Sequence, residues 1–268
     1  MTTNSKVRVA IHGAAGRMGR RLIALGSVDK ELSIVAALEG ADNPLIGQDA
    51  GLVAGVVELN VPFGSHIHTA VDAVIDFSVP EACLSIVKTC VEKRIPLVVA
   101  TTGLHEEEKH EIRRAAEVIP IVWSPSMSTT VNLAMKLCAM AGTALRSQAA
   151  GVDVEIIERH HRYKEDAPSG TALKFGEIIA GVMDLPEAKH GRHGMTGKRP
   201  STEIGYHAVR TGDNPGEHTI VFGLLGETLE VTVKASNRDC YATGALSAAK
   251  FIAGKPPGLY SMYDVLGL

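Results

Sequence analysis

Cysteine is scarce in this 268-residue chain, and its four cysteines are scattered. Cys83 and Cys90 fall on one predicted helix at a spacing typical of core-facing residues, which differs from the spacing of a zinc knuckle. Cys138 and Cys240 have no cysteine near them in sequence. We therefore expect four reduced, buried thiols that behave as small hydrophobic residues.

The sequence also lacks long apolar runs, a strong charge imbalance, internal repeats and low-complexity linkers. No segment approaches the roughly 20 apolar residues that span a bilayer. The N-terminus leads into a strand without the apolar region of a signal peptide. A net charge of -3 gives no reason to expect nucleic-acid binding, and local basic clusters suit small anionic ligands better. With 45% hydrophobic and 21% charged residues, the composition is that of a soluble globular protein, which we expect to be cytoplasmic.

A glycine-rich turn follows the first predicted strand. The β-branched run Val7–Ile11 leads directly into it, and a helix is predicted over Arg20–Leu25. Strand, glycine turn and helix in this order are typical of a dinucleotide-binding half, because glycines allow close backbone approach and the helix N-terminus attracts a pyrophosphate. The spacing is G-x-x-G-x-x-G, which departs from the usual G-x-G-x-x-G. The turn contains Gly13, Ala14, Ala15, Gly16, Arg17, Met18 and Gly19, and we expect the start of the following helix to face the cofactor's pyrophosphate.

Glu39 ends the second predicted strand, Leu32–Leu38, twenty residues after Gly19. A carboxylate at this distance is typical of the acid that accepts hydrogen bonds from the adenosine ribose, although it also fits a solvated loop residue. Gly40 follows, so no cation stands beside Glu39 to meet a 2′-phosphate. This favours NAD over NADP, while Arg17 leaves a route to the phosphate open.

Strands and helices alternate through the first half of the chain, which predicts a doubly wound parallel sheet of the Rossmann type. Ser78 is predicted to cap a helix that runs to about Lys93, and Asn43 to His68 is predicted to be loop with an edge strand or two. Ligands bind such sheets at the carboxyl ends of the strands. The other residues predicted at that edge are Phe77, Ser78, Ala100, Thr101, Thr102, Ser124, Pro125, Ser126 and Met127.

In the second half, strands and helices no longer alternate. Two helices and several strand-like runs predict an α+β domain with an open mixed sheet. Its last two strands are predicted to form an antiparallel hairpin around Gly226, and Lys189–Pro200 reads as a flexible surface loop, or as a segment for subunit contact or substrate access. The tail is expected to return to the first domain. The predicted domains are 1–130 with 240–268, which bind the dinucleotide, and 131–239, with a ligand cleft between them.

Titratable side chains are concentrated at the end of an apolar strand-like run, 152–157. His160 and Lys164 are predicted to converge if the chain turns before Pro168, and either His160 or His161 can move protons near neutral pH. A helix then begins behind Ser169, Gly170 and Thr171, whose N–H groups and hydroxyls suit a carboxylate. The alternatives are a solvated basic turn and a zinc site built from His160, His161, His190 and His193, although no cysteine or carboxylate stands at ligand spacing.

This stretch, Glu155-x-x-Glu-x-His-His-x-x-Lys-x-Asp-Ala-Pro-Ser-Gly-Thr-Ala172, closely resembles the signature of the 4-hydroxy-tetrahydrodipicolinate (dihydrodipicolinate) reductase family of lysine and diaminopimelate biosynthesis. The resemblance extends over the whole chain. Further motifs that match are 13–19, 76–78, 100–103, 192–197, 216–219, 234–236 and 258–266.

The resemblance implies an NAD(P)H-dependent oxidoreductase that converts 4-hydroxy-tetrahydrodipicolinate to tetrahydrodipicolinate with loss of water. It implies that His160 is the proton donor or acceptor, Lys164 a second donor, and that His161 and Ser169–Thr171 bind the substrate carboxylates. It also implies a homotetramer assembled through the second domain's sheet. No metal is expected, because no cysteine or carboxylate stands at zinc-ligand spacing beside the histidines. Ser126 and Thr130 depart from the Asn and Gly that the family often has there. Gly40 stands where the family often carries a cation after the ribose-binding acid, so NADH is expected to serve at least as well as NADPH.

Two other functions remain open on the residues alone. A different Rossmann reductase of an imine or semialdehyde would keep the glycine turn without needing the Ser-Gly-Thr clamp. A non-catalytic dinucleotide sensor or oligomeric scaffold would keep Glu39 without needing His160 and Lys164.

Overall fold

The computed structural model describes residues 5–268, and the chain divides into two compact units. The first unit extends to Thr129 and includes Asp239–Leu268, and the second is Thr130–Arg238. These boundaries fall one residue from the predicted ones. No helix among the described residues is long and apolar enough to cross a membrane.

The first unit contains a seven-stranded sheet in the order β12-β6-β5-β4-β1-β2-β3. Every neighbouring pair of strands in it is parallel, which confirms the predicted doubly wound fold. Its strands are β1 (Val7–His12), β2 (Leu32–Leu38), β3 (Phe63–Gly64), β4 (Ala73–Asp76), β5 (Leu97–Val99), β6 (Pro120–Trp123) and β12 (Gly258–Tyr260). Because β12 pairs with β6, the C-terminal segment completes this sheet.

Helices cover both faces of this sheet with separate apolar cores. One core includes residues of α1 and α7, such as Ile23 and Leu246, and the other residues of α3 and α4, such as Ile86 and Ile112. The helices are α1 (Arg17–Val28), α2 (Ala50–Val53), α3 (Pro80–Lys93), α4 (Glu106–Ala115), α7 (Asp239–Ile252) and α8 (Met262–Leu266). Cys83 and Cys90 are buried on α3, as their spacing predicts.

Two predictions about this unit are wrong in detail. Helix α1 begins at Arg17 and not at Arg20, with Gly16 as its N-cap. A Cβ on Gly19 would lie 2.3 Å from the carbonyl oxygen of Gly13, so this glycine serves close packing of the helix on the turn. Val79, and not Ser78, caps α3, because the Ser78 hydroxyl instead donates a hydrogen bond of 2.6 Å to Asp76.

The second unit has a five-stranded sheet in the order β11-β10-β7-β9-β8. Its strands are β7 (Asp153–His160), β8 (Glu187–His190), β9 (Glu203–Arg210), β10 (Glu217–Gly223) and β11 (Thr228–Lys234). β7, β9 and β8 are parallel, whereas β10 is antiparallel to both β7 and β11, so the predicted mixed sheet and hairpin are confirmed. Helix α5 (Thr129–Leu145) begins at the boundary between the units, and α6 (Gly170–Met183) packs on β7 and β9.

Strand β7 continues three residues beyond the predicted apolar run. These three residues are polar, but they keep the alternation of buried and exposed positions of the strand. Val154, Ile156, Glu158 and His160 are buried on one side, and the intervening residues are more exposed. The strand ends at His160, and Arg162 and Lys164 follow in a turn. The loop predicted at 189–200 begins with residues of the edge strand β8, which pairs with β9.

Candidate active site

The glycine turn of the first unit brings the ends of β1, β2 and β4 together. Gly13 has a φ of +72°, and a Cβ on it would lie 2.6 Å from the carbonyl oxygen of Phe77, so only glycine fits there without strain. The N–H groups of Gly13 and Ala14 both donate to the carbonyl oxygen of Leu38, at 3.1 and 3.2 Å. The turn is therefore fixed by backbone contacts with neighbouring strands.

Glu39 is held against this turn. Its Oε1 accepts a hydrogen bond of 2.7 Å from the N–H of Ala15, and its Oε2 accepts one of 3.3 Å from the side chain of Asn43. Gly16 and Arg17 are exposed at the start of α1, where no acidic residue occupies the first turn, and Met18 is partly buried. A carboxylate beside a helix N-terminus with free N–H groups suits a ribose and a pyrophosphate.

A buried carboxylate, Asp76, organises the neighbouring edge of the sheet, and its role was missed in the sequence. Its side chain is fully buried and contacts His12 Nδ1 at 2.7 Å. The hydroxyls of Ser78 and Thr101 donate to it at 2.6 and 2.7 Å. Burial alone would raise the pKa of Asp76, but His12 and the two hydroxyls outweigh it and lower this pKa. In the sequence, an aspartate at the end of an apolar strand was the feature that could have indicated this role.

The two remaining predicted cofactor segments lie at the carboxyl ends of β5 and β6. Ala100 and Thr101 are buried after β5, and Thr102 is exposed. After β6, the Ser124 hydroxyl donates to the carbonyl oxygen of Ser126 at 2.8 Å, which closes a tight turn. Pro125 is exposed and Met127 is buried. The carbonyl oxygen of Met127 would lie 1.7 Å from a Cβ on Gly244, so helix α7 supports this turn through its glycine.

In the second unit, His160 is a buried histidine with a carboxylate partner. Its Nδ1 lies 2.6 Å from Oε2 of Glu158, which stands two residues earlier on the same face of β7. Burial lowers the pKa of His160, although the hydrogen bond and charge of Glu158 act in the opposite direction. The nearby charges of Lys164 and Arg210 lower this pKa further. The arrangement can hold one imidazole tautomer and exchange a proton at the other nitrogen.

The N-terminus of α6 lies beside this pair. Ser169 is its N-cap, with a hydroxyl that accepts from the N–H of Ala172 at 3.2 Å. The Ser169 hydroxyl also lies 3.0 Å from Nε2 of His218. Gly170 is exposed and Thr171 is half-buried, so the first turn presents N–H groups and a hydroxyl in an arrangement that suits an anion.

His161 and Lys164 follow β7 in the turn. His161 is half-buried, and its Nδ1 is a buried atom without a hydrogen-bond partner among the described residues. The Lys164 ammonium pairs with Asp166 at 2.8 Å. Its charge also lowers the pKa of both His160 and His218, so these three groups share one electrostatic environment.

Three further residues complete this cluster, and sequence reasoning gave none of them a role. Glu158 is buried, Arg210 contacts both its carboxylate oxygens, and His218 is paired directly opposite it on β10. The ring of His218 lies 5.2 Å from that of His160. The alternation of buried and exposed positions that ends in Glu158 and His160 could have indicated a role for Glu158. Arg210 and His218 could not be found in this way, because their positions near Glu158 depend on how the strands pair.

The predicted zinc alternative finds no support in the geometry. Within residues 5–268, no group of three or more His, Cys, Asp or Glu side chains is arranged to hold a metal ion. His190 lies on the edge strand β8 and stacks on Tyr206 at 5.3 Å, and His193 is exposed in the following loop.

Two family models together match nearly the whole chain. Residues 7–127 match the model for the N-terminus of dihydrodipicolinate reductase, and residues 130–266 match the model for its C-terminus. The chain belongs to the dihydrodipicolinate reductase family.

Curated relatives of this family align over nearly the full length. The 4-hydroxy-tetrahydrodipicolinate reductase of Rhodopirellula baltica is 56% identical, over 98% of this chain and 96% of that protein. The one from Alkalilimnicola ehrlichii is 45% identical, over 97% of this chain and 99% of that protein. Among solved structures, dipicolinate-bound dihydrodipicolinate reductase from Paenisporosarcina sp. TG-14 shares the fold, with a TM-score of 0.77, 24% identity, and coverage of 97% of this chain and 98% of that one.

In this member of the family, two arginines hold the segment 191–200 onto the sheet. Arg192 contacts Glu155 at 2.7 Å and also pairs with Glu203. Arg199 contacts Glu155 at 2.9 Å and Asp153 at 2.7 Å, and donates to three backbone carbonyls. Burial alone would raise the pKa of Glu155, but its hydrogen bonds with Arg192, His207 and Arg199 outweigh burial and lower this pKa to about 2. The segment predicted to be a flexible surface loop is therefore anchored at two points.

Proposed function

We propose that this chain catalyses the NAD(P)H-dependent reduction of 4-hydroxy-tetrahydrodipicolinate, with loss of water, to tetrahydrodipicolinate. The observation that carries the proposal is full-length membership of the reductase family, with 56% identity to a curated member, together with a complete set of proton-transfer and anion-binding groups in the second unit. The reaction requires a hydride donor, a clamp for a dicarboxylate and a proton source.

His160 serves as the proton donor or acceptor, and Lys164 as a second proton donor. Glu158 stands at 2.6 Å from Nδ1 of His160, which leaves Nε2 for proton exchange. Lys164 lies close enough for its charge to lower the pKa of His160. Protonation of the leaving hydroxyl, with loss of a proton from a neighbouring ring carbon, releases water. Hydride addition then creates an electron-rich centre on the substrate, and a proton delivered there completes the reduction, so the net uptake is one hydride and one proton.

The substrate carboxylates are bound by His161 and by Ser169, Gly170 and Thr171. This assignment is supported by the exposed N-terminus of α6, whose first N–H groups lack intrahelical partners, and by the partial positive charge of the helix end. The half-buried imidazole of His161 adds a second polar contact.

The cofactor is a nicotinamide dinucleotide bound by the first unit. Its contacts come from Gly13 to Met18, Glu39, Ala100 to Thr102 and Ser124 to Met127, all at the carboxyl ends of parallel strands. Residue 40 is glycine, so the position directly after Glu39 offers no cationic side chain to a 2′-phosphate. NADH is therefore used at least as well as NADPH.

The enzyme assembles as a cytoplasmic homotetramer through the sheet of its second unit. The face of that sheet opposite α6 carries Ile157 and Val209, whose exposures are 42% and 40%. Both lie on neighbouring strands with side chains on the same face, because Ile157 pairs with His207, two residues before Val209. Apolar residues exposed in this way suit an interface between identical copies.

The test is a coupled assay in which the upstream synthase generates the unstable substrate and NAD(P)H oxidation is followed by absorbance. Wild-type protein should turn over, and His160→Gln and Lys164→Ala should each lose activity by about 100-fold or more. Lys174→Ala is the matched control, because Lys174 pairs with Glu177 on the surface of α6. Normal turnover in His160→Gln protein would contradict the assigned role, and absence of turnover in wild-type protein would contradict the proposed reaction.

A further inference from the structure

The carboxylate of Glu158 is one of the most completely bonded side chains of the second unit. It lies 2.6 Å from His160 Nδ1, and it accepts hydrogen bonds of 2.8 and 2.7 Å from the two terminal nitrogens of Arg210. It also accepts a hydrogen bond of 3.1 Å from the backbone N–H of Ser169. The side chain is fully buried, so these contacts replace water around it.

Sheet geometry accounts for this convergence. Glu158 and His160 are two residues apart on β7, so both side chains leave the same face of the strand. Arg210 is the cross-strand partner of His160 on β9, and His218 is that of Glu158 on β10. A one-residue slip of either strand would move these side chains to the opposite face.

Glu158 is ionised in this setting. Burial alone would raise its pKa, but the hydrogen bonds and charges of Arg210 and His160 outweigh that effect and lower the pKa. An ionised carboxylate can only accept hydrogen bonds, so Nδ1 of His160 must carry a proton. Nε2 is then the nitrogen that exchanges protons with a ligand.

We propose that Glu158 is a positioning residue that fixes the tautomer of His160 and joins the proton-transfer histidine to the carboxylate-binding end of α6. The second part follows from the bond to the Ser169 N–H, since Ser169 caps that helix. Arg210 keeps the carboxylate charged and oriented. The inference rests on the proposed function, because His160 acts as a proton donor there.

The same strand provides a matched control. Glu155 lies three residues earlier, on the opposite face of β7. It contacts a histidine, His207, at 2.7 Å and two arginines, Arg192 and Arg199, at 2.7 and 2.9 Å. Removing its charge disturbs an ion cluster of similar composition without touching His160, so it separates positioning of His160 from general damage to the sheet.

The experiment compares wild-type protein with Glu158→Gln and Glu155→Gln. In Glu158→Gln, kcat should fall by about 100-fold while the KM for NADH changes less than about twofold, because the loss is confined to proton transfer. In wild-type protein the rate falls as pH rises and His160 loses its proton. Since Glu158 raises the pKa of His160 against the effect of burial, its removal should move this descending limb to lower pH. Glu155→Gln should leave the limb where it is in the wild type.

A second readout is independent of turnover. Nitrogen chemical shifts of labelled imidazoles report which ring nitrogen carries the proton in ligand-free protein. Wild-type His160 should give the signals of the Nδ1–H tautomer, and Glu158→Gln should give a mixture. If Glu158→Gln does not fold, Arg210→Lys serves in its place, since it keeps the carboxylate but loses the two-point contact.

The outcomes are distinguishable. A descending limb at the wild-type pH in a folded Glu158→Gln protein, or an unchanged imidazole spectrum, overturns the positioning role. Failure of wild-type protein to reduce the substrate would overturn the proposed function instead, and the imidazole spectrum would still decide the tautomer. A loss of kcat in Glu155→Gln equal to that in Glu158→Gln would show that the effect is structural, and would also overturn the proposal.

Discussion

Gly216 lies against the imidazole of His160, so that a Cβ on this glycine would stand 2.9 Å from Nε2. Its φ of +149° is also one that L side chains rarely adopt. We expect Gly216→Ala to displace His160 and to crowd the nitrogen that exchanges protons. The predicted result is a fall in kcat of about 10- to 100-fold, since small misplacements of reacting groups cost this much. Steady-state kinetics with saturating NADH measures it.

Gly223, at the other end of β10, is the control for this substitution. A Cβ there would make only an ordinary contact of 3.8 Å with Asp153. Gly223→Ala should therefore leave kcat within about twofold of the wild type. Equal effects of the two substitutions would show that strand β10 tolerates no added methyl group, and that the position of Gly216 near His160 is not special.

Asp76→Asn is expected to destabilise the first unit. The substitution removes a fully buried charge that His12, Ser78 and Thr101 all contact. Breaking such a buried network costs about 3 kcal/mol in the free energy of unfolding. Asp72→Asn, which removes a partner of Arg8 at the surface, should cost less than about 1 kcal/mol. Denaturant titration of both variants gives the comparison, and similar losses would contradict the role given to Asp76.

The pH dependence of this contribution follows from the direction of the pKa shift. The folded-state pKa of Asp76 is lower than its ordinary value, so the carboxylate stabilises the fold above the unfolded pKa of about 3.9. That contribution is lost as pH falls through the lowered pKa. Wild-type protein and Asp76→Asn should therefore approach each other in stability under strongly acidic conditions, and differ most near neutral pH.

The parallel sheet was predictable from the sequence because its strands are buried on both faces and read as short apolar runs separated by glycine, proline and capping residues. Leu32–Leu38 is predicted and observed with the same bounds. The residue before helix α3 was less informative. Ser78 is a typical N-cap residue, but its hydroxyl donates instead to the buried carboxylate of Asp76, two residues earlier. Local capping signals cannot reveal a competing partner.

Contacts across the second sheet were not predictable. Arg199 and Glu155 are 44 residues apart in sequence, and Arg210 and Glu158 are 52 apart, so neither pair has a local signal. The contact of Arg210 with Glu158 depends on the register of β7 and β9, whereas that of Arg199 with Glu155 depends on the path of the segment 191–200, which precedes β9. The segment 191–200 has no hydrophobic period, so its sequence predicts a flexible loop. In the structure it is held in place by arginine contacts and not by apolar burial.

His218→Gln is expected to weaken the pH dependence of stability. Burial, with the charges of His160 and Lys164, lowers the pKa of His218 to about 4, below the value of about 6.5 in an unfolded chain. The unfolded state therefore binds this proton more tightly, and the fold loses stability as pH falls from about 6.5 towards 4.

The size of this effect is measurable by urea unfolding at neutral pH and at pH of about 5. Each unit of pH within the window costs up to about 1.4 kcal/mol, so the wild type should lose up to ~2 kcal/mol through this group. Glutamine has no titratable proton and keeps a side-chain amide near the Ser169 hydroxyl. An identical loss in wild-type protein and in His218→Gln would contradict the low pKa.

Cofactor preference can be redirected at Gly40. An arginine fits there, because nothing lies within 4 Å of a Cβ built on this residue, and Glu39 is held beside it by the N–H of Ala15. A guanidinium next to the ribose acid would pair with a 2′-phosphate, so Gly40→Arg should raise kcat/KM for NADPH relative to NADH by about tenfold. Gly40→Ala adds a side chain without a charge and should leave the ratio unchanged. A strong preference of wild-type protein for NADPH, or an unchanged ratio in Gly40→Arg, would mean that another cation, such as Arg17 at the start of α1, already binds the phosphate.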